Sequence, residues 1–455
     1  MLKGGRPTGP SKLFVEVTTR CNLRCRMCVK QAAGCSVEEG DLTPETFAAL
    51  EPALPGLDAL VLSGIGEPLL HPELEAFVRR AKALLPPEAW VGFQTNGLLL
   101  DGDRAASLAA AGVDRVCLSL DAVSPAAFQR IREGGEVGAV DRALAALREV
   151  RGRSSPSRSR DLRPSVGIGR SSPSWNRDLR PSVGIEFVAM RDNVRELPAV
   201  LRWAASRGAD FALVTQVLPY EPDLVRQAAY DPNTDRAVSF FEPWRERARA
   251  EGVDLGRYFA ILWKYVKTPE EERIVEFVER AKAEAHGLDV FVNVQRILER
   301  DAAWLDEVQA VFAEAAEVAA GEGIELRLPE VVPRGDRRCD FVESGGAFVS
   351  WDGRVHPCYF LWHGYRCFVN GREKFIRPRV FGDLADRGIV EIWNDPAYRA
   401  FREGVLRYDY PFCSDCNLGK CCDYVQALEF EQDCYLNAEP CGDCLWCKGV
   451  FQCLQ

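Results

Sequence analysis

Short apolar strands alternate with amphipathic helices along the first half of this 455-residue chain. Such alternation is typical of a parallel sheet, because parallel neighbours need a long and usually helical crossover. The predicted strands are Leu13–Val17, Ala59–Ser63, Trp90–Thr95, Arg115–Asp121, Ser182–Met190 and Phe211–Val217. The predicted helices include Pro44–Leu54, Pro72–Leu85, Asp103–Ala111, Ala139–Val150 and Val194–Arg207. We therefore predict an α/β fold built on a partial (β/α)6 barrel of the TIM type.

Composition changes twice further along the chain. Residues 221–332 are mainly helical and amphipathic, and residues 333–455 are rich in Cys, Gly and aromatic side chains. We predict a partial barrel over residues 11–220, a helical insertion over 221–332 that covers and closes it, and a Cys-rich C-terminal domain over 333–455. Residues 153–168 recur almost unchanged as 170–185. We predict that the second copy forms the fifth strand and that the first copy forms a surface loop. Such a loop is tolerated because the entropic cost of closing a loop rises only slowly with its length.

Charge and termini exclude several classes of function. Acidic residues outnumber basic ones by 67 to 57, so the chain has a net negative charge. It therefore has no overall positive potential that would attract nucleic acid or an anionic membrane. No apolar run has the length of a secretory signal or a membrane span, so we expect a cytoplasmic protein. Seventeen cysteines in a reducing compartment favour metal or redox sites over disulfide bonds.

Three of these cysteines form the compact pattern Cys21-x-x-x-Cys25-x-x-Cys28. A four-iron cluster takes four ligands, so three thiolates in one loop leave one iron open for chemistry. A zinc site, or thiols buried for packing, is the alternative interpretation.

Polar residues follow the predicted strands at the sheet edge where barrel enzymes build their sites. Gly64, Gly66 and Glu67 come after the second strand, where glycines allow close backbone approach and a carboxylate can bind an ammonium group. Asn96 follows the third strand. The remaining candidates are Ser119, Asp121 and Arg132. Each of them could instead be an ordinary loop residue.

The cysteine loop and these motifs, in this order, resemble the radical S-adenosylmethionine (SAM) enzymes. The resemblance implies that Cys21, Cys25 and Cys28 hold a [4Fe-4S] cluster whose open iron binds SAM. It also implies that Glu67, with Gly64 and Gly66, holds the SAM amino group and that Arg132 pairs with its carboxylate. Asn96, Ser119 and Asp121 match further SAM-binding positions, the last two as ribose partners.

Twelve more cysteines lie between Cys339 and Cys453, and the run Cys441-x-x-Cys444-x-x-Cys447 has the spacing of a bacterial ferredoxin. This region resembles the SPASM domain, which implies two auxiliary [4Fe-4S] clusters. The candidate ligands are Cys339, Cys358, Cys413, Cys416, Cys422, Cys434, Cys441, Cys444, Cys447 and Cys453. A tetrahedral zinc site formed by Cys413 and Cys416 with Cys421 or Cys422 is the alternative. Cys35, Cys117 and Cys367 are predicted to bind no cluster.

Both ends of the chain resemble the radical SAM maturases associated with tungsten-dependent aldehyde ferredoxin oxidoreductases. This resemblance implies an enzyme that cleaves SAM reductively to a 5'-deoxyadenosyl radical and removes hydrogen from a substrate. The expected partners are a substrate protein, a peptide or a pterin-tungsten cofactor, and a low-potential donor such as ferredoxin or flavodoxin. The alternatives are a peptide-tailoring or sulfatase-maturing SPASM enzyme, and an iron-sulfur electron-transfer protein without SAM chemistry.

Overall fold

The computed structural model describes residues 9–33, 35, 37–154, 181–417 and 432–454. The first copy of the duplication, predicted as a surface loop, lies outside the described residues from position 155 onward. So does the predicted ligand Cys422.

A ten-stranded sheet forms the centre of the molecule. In chain order its strands are β1 (Lys12–Val15), β2 (Ala59–Val61), β3 (Trp90–Thr95), β4 (Arg115–Ser119), β5 (Ser182–Ala189), β6 (Phe211–Gln216), β7 (Glu325–Arg327), β8 (Gly346–Val349), β9 (Arg354–His356) and β10 (Gly382–Asp383). Their order across the sheet is β10-β9-β8-β1-β2-β3-β4-β5-β6-β7. The eight strands from β8 to β7 in this order run parallel to one another. Strand β9 pairs antiparallel with β8, and β10 pairs antiparallel with β9. All six predicted strands are confirmed, including the strand formed by the second copy of the duplication.

Helices connect and cover these strands. They are α1 (Pro44–Ala48), α2 (Leu74–Leu84), α3 (Gly102–Ala111), α4 (Pro125–Ile131), α5 (Val137–Ser154), α6 (Leu197–Ser206), α7 (Asp235–Glu251), α8 (Tyr258–Leu262), α9 (Pro269–Gly287), α10 (Val294–Leu298), α11 (Ala302–Glu322), α12 (Asp340–Glu343), α13 (Ile389–Asn394) and α14 (Pro396–Arg407). The prediction of one continuous helix over Pro44–Leu54 is wrong. A 3-10 helix at Glu51–Gly56 replaces its second half, because Pro52 and Pro55 lack the N–H that an α-helix needs.

The helical insertion has a core of its own. Phe241 and Trp244 of α7 and Phe277 of α9 are buried in it, and the Trp244 and Phe277 rings meet edge to face at 5.1 Å. Helix α11 returns from this insertion to pack against α6, and β7 then joins the edge of the sheet. Among the described helices, none is both long and apolar enough to cross a membrane.

The C-terminal region continues the central sheet. Residues Gly346–Val349 of β8 pair in parallel with Lys12–Val15 of β1. A separate hairpin, Tyr365–Val369 with Arg372–Ile376, lies outside the sheet. The hydrogen bonds between β1 and β8 therefore cross the boundary that we place near residue 333, and the division into three domains stays a prediction.

Candidate active site

The cysteine loop begins where β1 ends, and threonine residues anchor it there. Thr18 Oγ1 donates to Asp41 Oδ1 at 2.7 Å, and Lys30 Nζ donates to the carbonyl oxygen of Thr19 at 2.6 Å. A β-bridge also joins Thr18 to Asp41. These contacts fix the approach to the segment Cys21–Cys28 at the carboxyl edge of the sheet.

The three thiols of this loop lie near one another and are partly accessible. Burial raises the pKa of Cys21 and Cys25, and it raises the pKa of Cys28 to about 12. The neighbouring Cys25 and Cys21 thiolates add to the shift at Cys28. No three Cys, His, Asp or Glu side chains in the described residues are spaced to share one metal ion. Three thiols in one loop fit an iron-sulfur cluster, because each thiolate of such a cluster binds a different iron.

Gly64 and Gly66 must be glycine because their loop lies against β1 and the cysteine loop. A Cβ atom at Gly64 would lie 2.3 Å from Cγ of Glu16, and one at Gly66 would lie 2.2 Å from the carbonyl oxygen of Thr18. Either methyl group would force the two segments apart. Both glycines therefore allow close packing of the protein against itself, and their contacts with SAM stay a prediction.

Glu67 is buried and holds the second and third strand ends together. Its Oε1 accepts from Thr95 Oγ1 at 2.6 Å and from the Leu69 amide at 3.1 Å, and its Oε2 accepts from the Asn96 amide at 2.7 Å. Burial raises the pKa of Glu67, and these hydrogen bonds oppose the shift. Asn96 Nδ2 donates to Asn22 Oδ1 at 2.7 Å, inside the cysteine loop. The structure thus brings both residues to the loop, and their contacts with SAM stay a prediction.

Arg132 reaches the same loop from the far side. Its Nε donates to Asp121 Oδ2 at 2.6 Å, and its Nη1 donates to Cys25 Sγ at 3.7 Å. Residues Arg132 and Cys25 also pair in a short antiparallel ladder. Burial alone would lower the pKa of Arg132, but Asp121, with Cys25 and Glu186, holds it above its ordinary value. Arg132 therefore places a permanent positive charge beside the second cysteine.

Asp121 is fully buried, and both of its oxygens have partners. Oδ2 accepts from Arg132, and Oδ1 accepts from the Val188 amide at 2.7 Å. These contacts make Asp121 a support for Arg132. Its role as a ribose partner stays a prediction, as does that of Ser119, which lies at the end of β4.

Two glutamates near the site, Glu16 and Glu186, were missed by the sequence analysis, and Glu16 is fully buried. Glu16 Oε1 accepts from the Ile65 amide at 3.0 Å, and Glu16 Oε2 lies 3.0 Å from His363 Nε2. Glu16 thus links the glycine loop to the C-terminal region. Glu186 is partly accessible on β5, and burial raises its pKa to about 7, while Arg132 and Gln94 oppose the shift. The available signal was a single acidic residue within each apolar strand.

Five of the predicted auxiliary ligands lie together in the C-terminal region. Burial raises the pKa of Cys339, and of Cys358 to about 11, and the neighbouring Cys447 thiol adds to both shifts. Cys441 is influenced by the same three thiols, and Cys447 Sγ donates to the carbonyl oxygen of Cys444 at 2.9 Å. This set of soft thiol donors fits an iron-sulfur cluster.

Cys413 lies next to a buried charge cluster. A Cβ at Gly442 would lie 2.9 Å from Cys413 Sγ, so this glycine allows close packing. The adjacent Asp443 is fully buried and accepts from Arg372 and Lys374 at 2.6 Å each. Burial opposes its ionisation, but the two cations hold the pKa of Asp443 below its ordinary value.

The remaining predicted ligands are more scattered. Cys416 is partly buried, and its carbonyl oxygen accepts from Asn293 Nδ2 at 2.9 Å. Cys434 is exposed. Cys453 follows Gln452, whose amide donates to Thr215 Oγ1 of β6 at 3.1 Å, so the C-terminal tail lies along the barrel. How these cysteines divide between auxiliary clusters stays a prediction.

Two family models match this chain. The model of the Radical SAM superfamily matches residues 15–157, which contain the cysteine loop, the glycine loop and Arg132. The model of an iron-sulfur cluster-binding domain, SPASM, matches residues 339–417. The chain therefore contains a radical SAM domain and a SPASM domain. Its N-terminal domain binds SAM and a [4Fe-4S] cluster, and its SPASM domain binds an iron-sulfur cluster. The predictions of a SAM-binding cluster and of an iron-sulfur C-terminal region are thereby confirmed. The residues that make these contacts stay predictions.

The radical SAM protein has relatives of two kinds. It is 28% identical over 448 residues to the tungsten-containing aldehyde ferredoxin oxidoreductase cofactor-modifying protein of Pyrococcus furiosus. That alignment covers 97% of this chain and 96% of the relative, so it includes the helical middle as well as both ends. The GTP 3',8-cyclase of Caulobacter vibrioides is 31% identical over 229 residues, covering 46% of this chain and 55% of that enzyme.

Solved structures with a similar arrangement include two proteins bound to SAM. The superposition with SuiB of Streptococcus suis covers 91% of this chain and 72% of SuiB, with 13% sequence identity and a TM-score of 0.49. The protein anSMEcpe covers 94% of this chain and 93% of its own, with 14% identity and a TM-score of 0.48.

Proposed function

We propose that this radical SAM enzyme matures a tungsten-pterin enzyme of the aldehyde ferredoxin oxidoreductase type. In this proposal it cleaves SAM reductively and removes a hydrogen atom from the pterin-tungsten cofactor or from the polypeptide that receives it. The observation that carries the proposal is the alignment with the Pyrococcus furiosus cofactor-modifying protein, which spans 97% of this chain. It therefore includes the barrel, the insertion and the SPASM region together.

The protein's own residues bind and orient, because the bound cluster and SAM supply the one-electron reduction and the hydrogen abstraction. Cys21, Cys25 and Cys28 supply three thiolates. Arg132 is fixed by Asp121 beside Cys25, so its planar guanidinium group is positioned to pair with the SAM carboxylate.

Other residues complete the proposed SAM site. The Glu67 carboxylate accepts three hydrogen bonds from the protein. Because a carboxylate can accept about four, one position remains for the SAM ammonium group. Gly64 and Gly66 let their loop pack against the cysteine loop, beside the proposed SAM position. Asn96 and Ser119 lie at adjoining strand ends.

The SPASM domain, proposed over 333–455, would hold two auxiliary [4Fe-4S] clusters. Cys339, Cys358, Cys441 and Cys447 are the favoured ligands of one of them, because their thiols lie together. A low-potential donor such as ferredoxin or flavodoxin would deliver electrons in the cytoplasm.

The first test measures SAM cleavage. Anaerobically reconstituted protein is incubated with SAM and dithionite, and 5'-deoxyadenosine is quantified by liquid chromatography and mass spectrometry. Wild type and Cys35→Ala should form it, and Cys25→Ala should form none. If wild type forms no 5'-deoxyadenosine, the proposal is wrong.

The second test concerns the substrate. Addition of a tungsten oxidoreductase that carries its unmodified pterin cofactor should accelerate 5'-deoxyadenosine formation and change the mass of the cofactor or of the polypeptide. If cleavage responds instead to a precursor peptide or a sulfatase, the enzyme belongs to the peptide-modifying group and the maturase assignment fails.

A further inference from the structure

The inner face of the barrel carries the polar side chains of Ser119, Glu186 and Thr215, with Val188 among them. Ser119 of β4 pairs in register with Glu186 of β5, and Val188 of β5 pairs with Thr215 of β6, so all four share one face. Glu186, Val188 and Thr215 are partly accessible in strands that are otherwise buried. Residues of the opposite face, such as Phe187, are fully buried. The side chains of Glu186, Val188 and Thr215 are therefore accessible parts of the inner face.

Glu186 lies between the SAM site and the C-terminal tail. Its carboxyl group is hydrogen-bonded by Gln94 and interacts electrostatically with Arg132, which contacts Cys25. On its other side it interacts with Cys453 and Tyr359. A ligand bound at Glu186 would thus lie close to the site where SAM is cleaved.

The nearby guanidinium does not neutralise this carboxyl group directly. Arg132 forms its ion pair with Asp121, Nε to Oδ2 at 2.6 Å. A half-buried carboxylate without a bound cation is costly to keep, and such groups concentrate at functional sites. Two adjacent N–H donors of a ligand would satisfy the two carboxylate oxygens at once.

We propose that Glu186 binds the substrate through two adjacent N–H groups, and that the group recognised is the aminopyrimidinone edge of a pterin. This inference rests on the proposed function, because the pterin is the part of that substrate with such an edge. The ring amino group and the neighbouring ring N–H point in the same direction, as a carboxylate requires. Gln94 fixes the Glu186 carboxyl group from the protein side.

The test compares two ligands that differ at this edge. Pterin has an amino group at ring position 2, and lumazine has a carbonyl oxygen there. Equilibrium dialysis measures the affinity of each for the reconstituted, SAM-loaded protein as wild type, Glu186→Gln and Glu75→Gln. Glu75 is the matched control, because it is a buried carboxylate on the outer helix α2, paired with Arg104 at 2.8 Å.

Wild type and Glu75→Gln should bind pterin at least about tenfold more tightly than lumazine, the effect expected for a charge-assisted hydrogen bond. In Glu186→Gln this preference should disappear or reverse, because an amide offers one donor and one acceptor. The affinity for SAM should stay unchanged in all three proteins, which separates recognition from a folding defect.

Each other outcome contradicts a specific statement. If Glu186→Gln keeps the preference for pterin, or lowers the affinity for both ligands equally, Glu186 does not recognise this edge. The proposed function stands in that case. If wild type binds SAM but neither ring, Glu186 does not recognise a pterin and this proposal fails, while maturation through the polypeptide is decided by the substrate test above. If only lumazine binds, the donor and acceptor assignment is overturned.

Discussion

Replacement of Asp121 by Asn should destabilise the centre of the barrel strongly. Asp121 is fully buried and pairs with Arg132, whose side chain is 9% exposed, at 2.6 Å. Asparagine keeps an oxygen for the Val188 amide but removes the charge, so Arg132 would be left buried without its counter-ion. Breaking a buried pair in this way costs about 3–5 kcal/mol.

Amide hydrogen exchange of β5 measures this loss where it occurs, since the Val188 amide donates to Asp121. A loss of about 3 kcal/mol should accelerate exchange through opening of this strand roughly a hundredfold. Asp223→Asn is the matched control, because the Arg26–Asp223 pair is also short, at 3.0 Å, but both side chains are exposed. That substitution should lower the free energy of unfolding by less than about 1 kcal/mol.

The pair also predicts a non-additive result. Arg132→Gln should cost less in the Asp121→Asn background than in wild type, because the ion pair has already been lost. If Asp121→Asn exchanges no faster than Asp223→Asn, or if the two substitutions are additive, the buried ion pair does not hold this part of the site.

Three further changes test other parts of the molecule. Gly66→Ala would place a methyl group 2.2 Å from the Thr18 carbonyl oxygen, so SAM affinity measured by titration should fall at least about tenfold. Asp443→Asn would remove the buried carboxylate charge that Lys374 Nζ contacts at 2.6 Å, so urea unfolding of the C-terminal region should show a loss of about 3 kcal/mol. In metal-free protein, burial raises the pKa of Cys28 to about 12, above that of the unfolded chain. The folded state therefore binds more protons between pH 9 and 12, and the stability measured by urea unfolding should fall across that window.

The chain offers matched controls for these changes. Gly102→Ala adds a methyl group where no atom lies within 4 Å, so SAM affinity should not change. Asp395→Asn breaks a pair with Arg387 that is more exposed than the Asp443 cluster and should cost less. Cys28→Ala should remove part of the fall in stability at high pH. Equal effects in test and control proteins would contradict the structural explanation in each case.

The sequence predicted the parallel strands well because each is a short apolar run between turn residues. Strand β3 was predicted over Trp90–Thr95, the same residues that the structure shows. The strand β8 was not foreseen, because its partner β1 lies more than 300 residues away and no local pattern reports such pairing. The helix from Pro44 was predicted too long, although Pro52 and Pro55 were visible as breaks.

The cysteine loop and its neighbouring motifs could be predicted because their order and spacing are local. The partners of the charged residues could not. Arg132 was expected to face SAM, and the structure adds its contacts with Asp121 and Cys25. Glu16 and Glu186 looked like single acidic residues within strands, and only the fold shows that they lie on the inner face.

The central claim is that SAM binds the cluster held by Cys21, Cys25 and Cys28. Low-temperature electron paramagnetic resonance of the reduced protein tests it directly, with Cys441→Ala and Cys358→Ala included to weaken the auxiliary signal. Addition of SAM should change the spectrum of the remaining cluster, and the responsive signal should be absent from Cys25→Ala. An unchanged spectrum, or a SAM-responsive signal that survives in Cys25→Ala, would contradict the account.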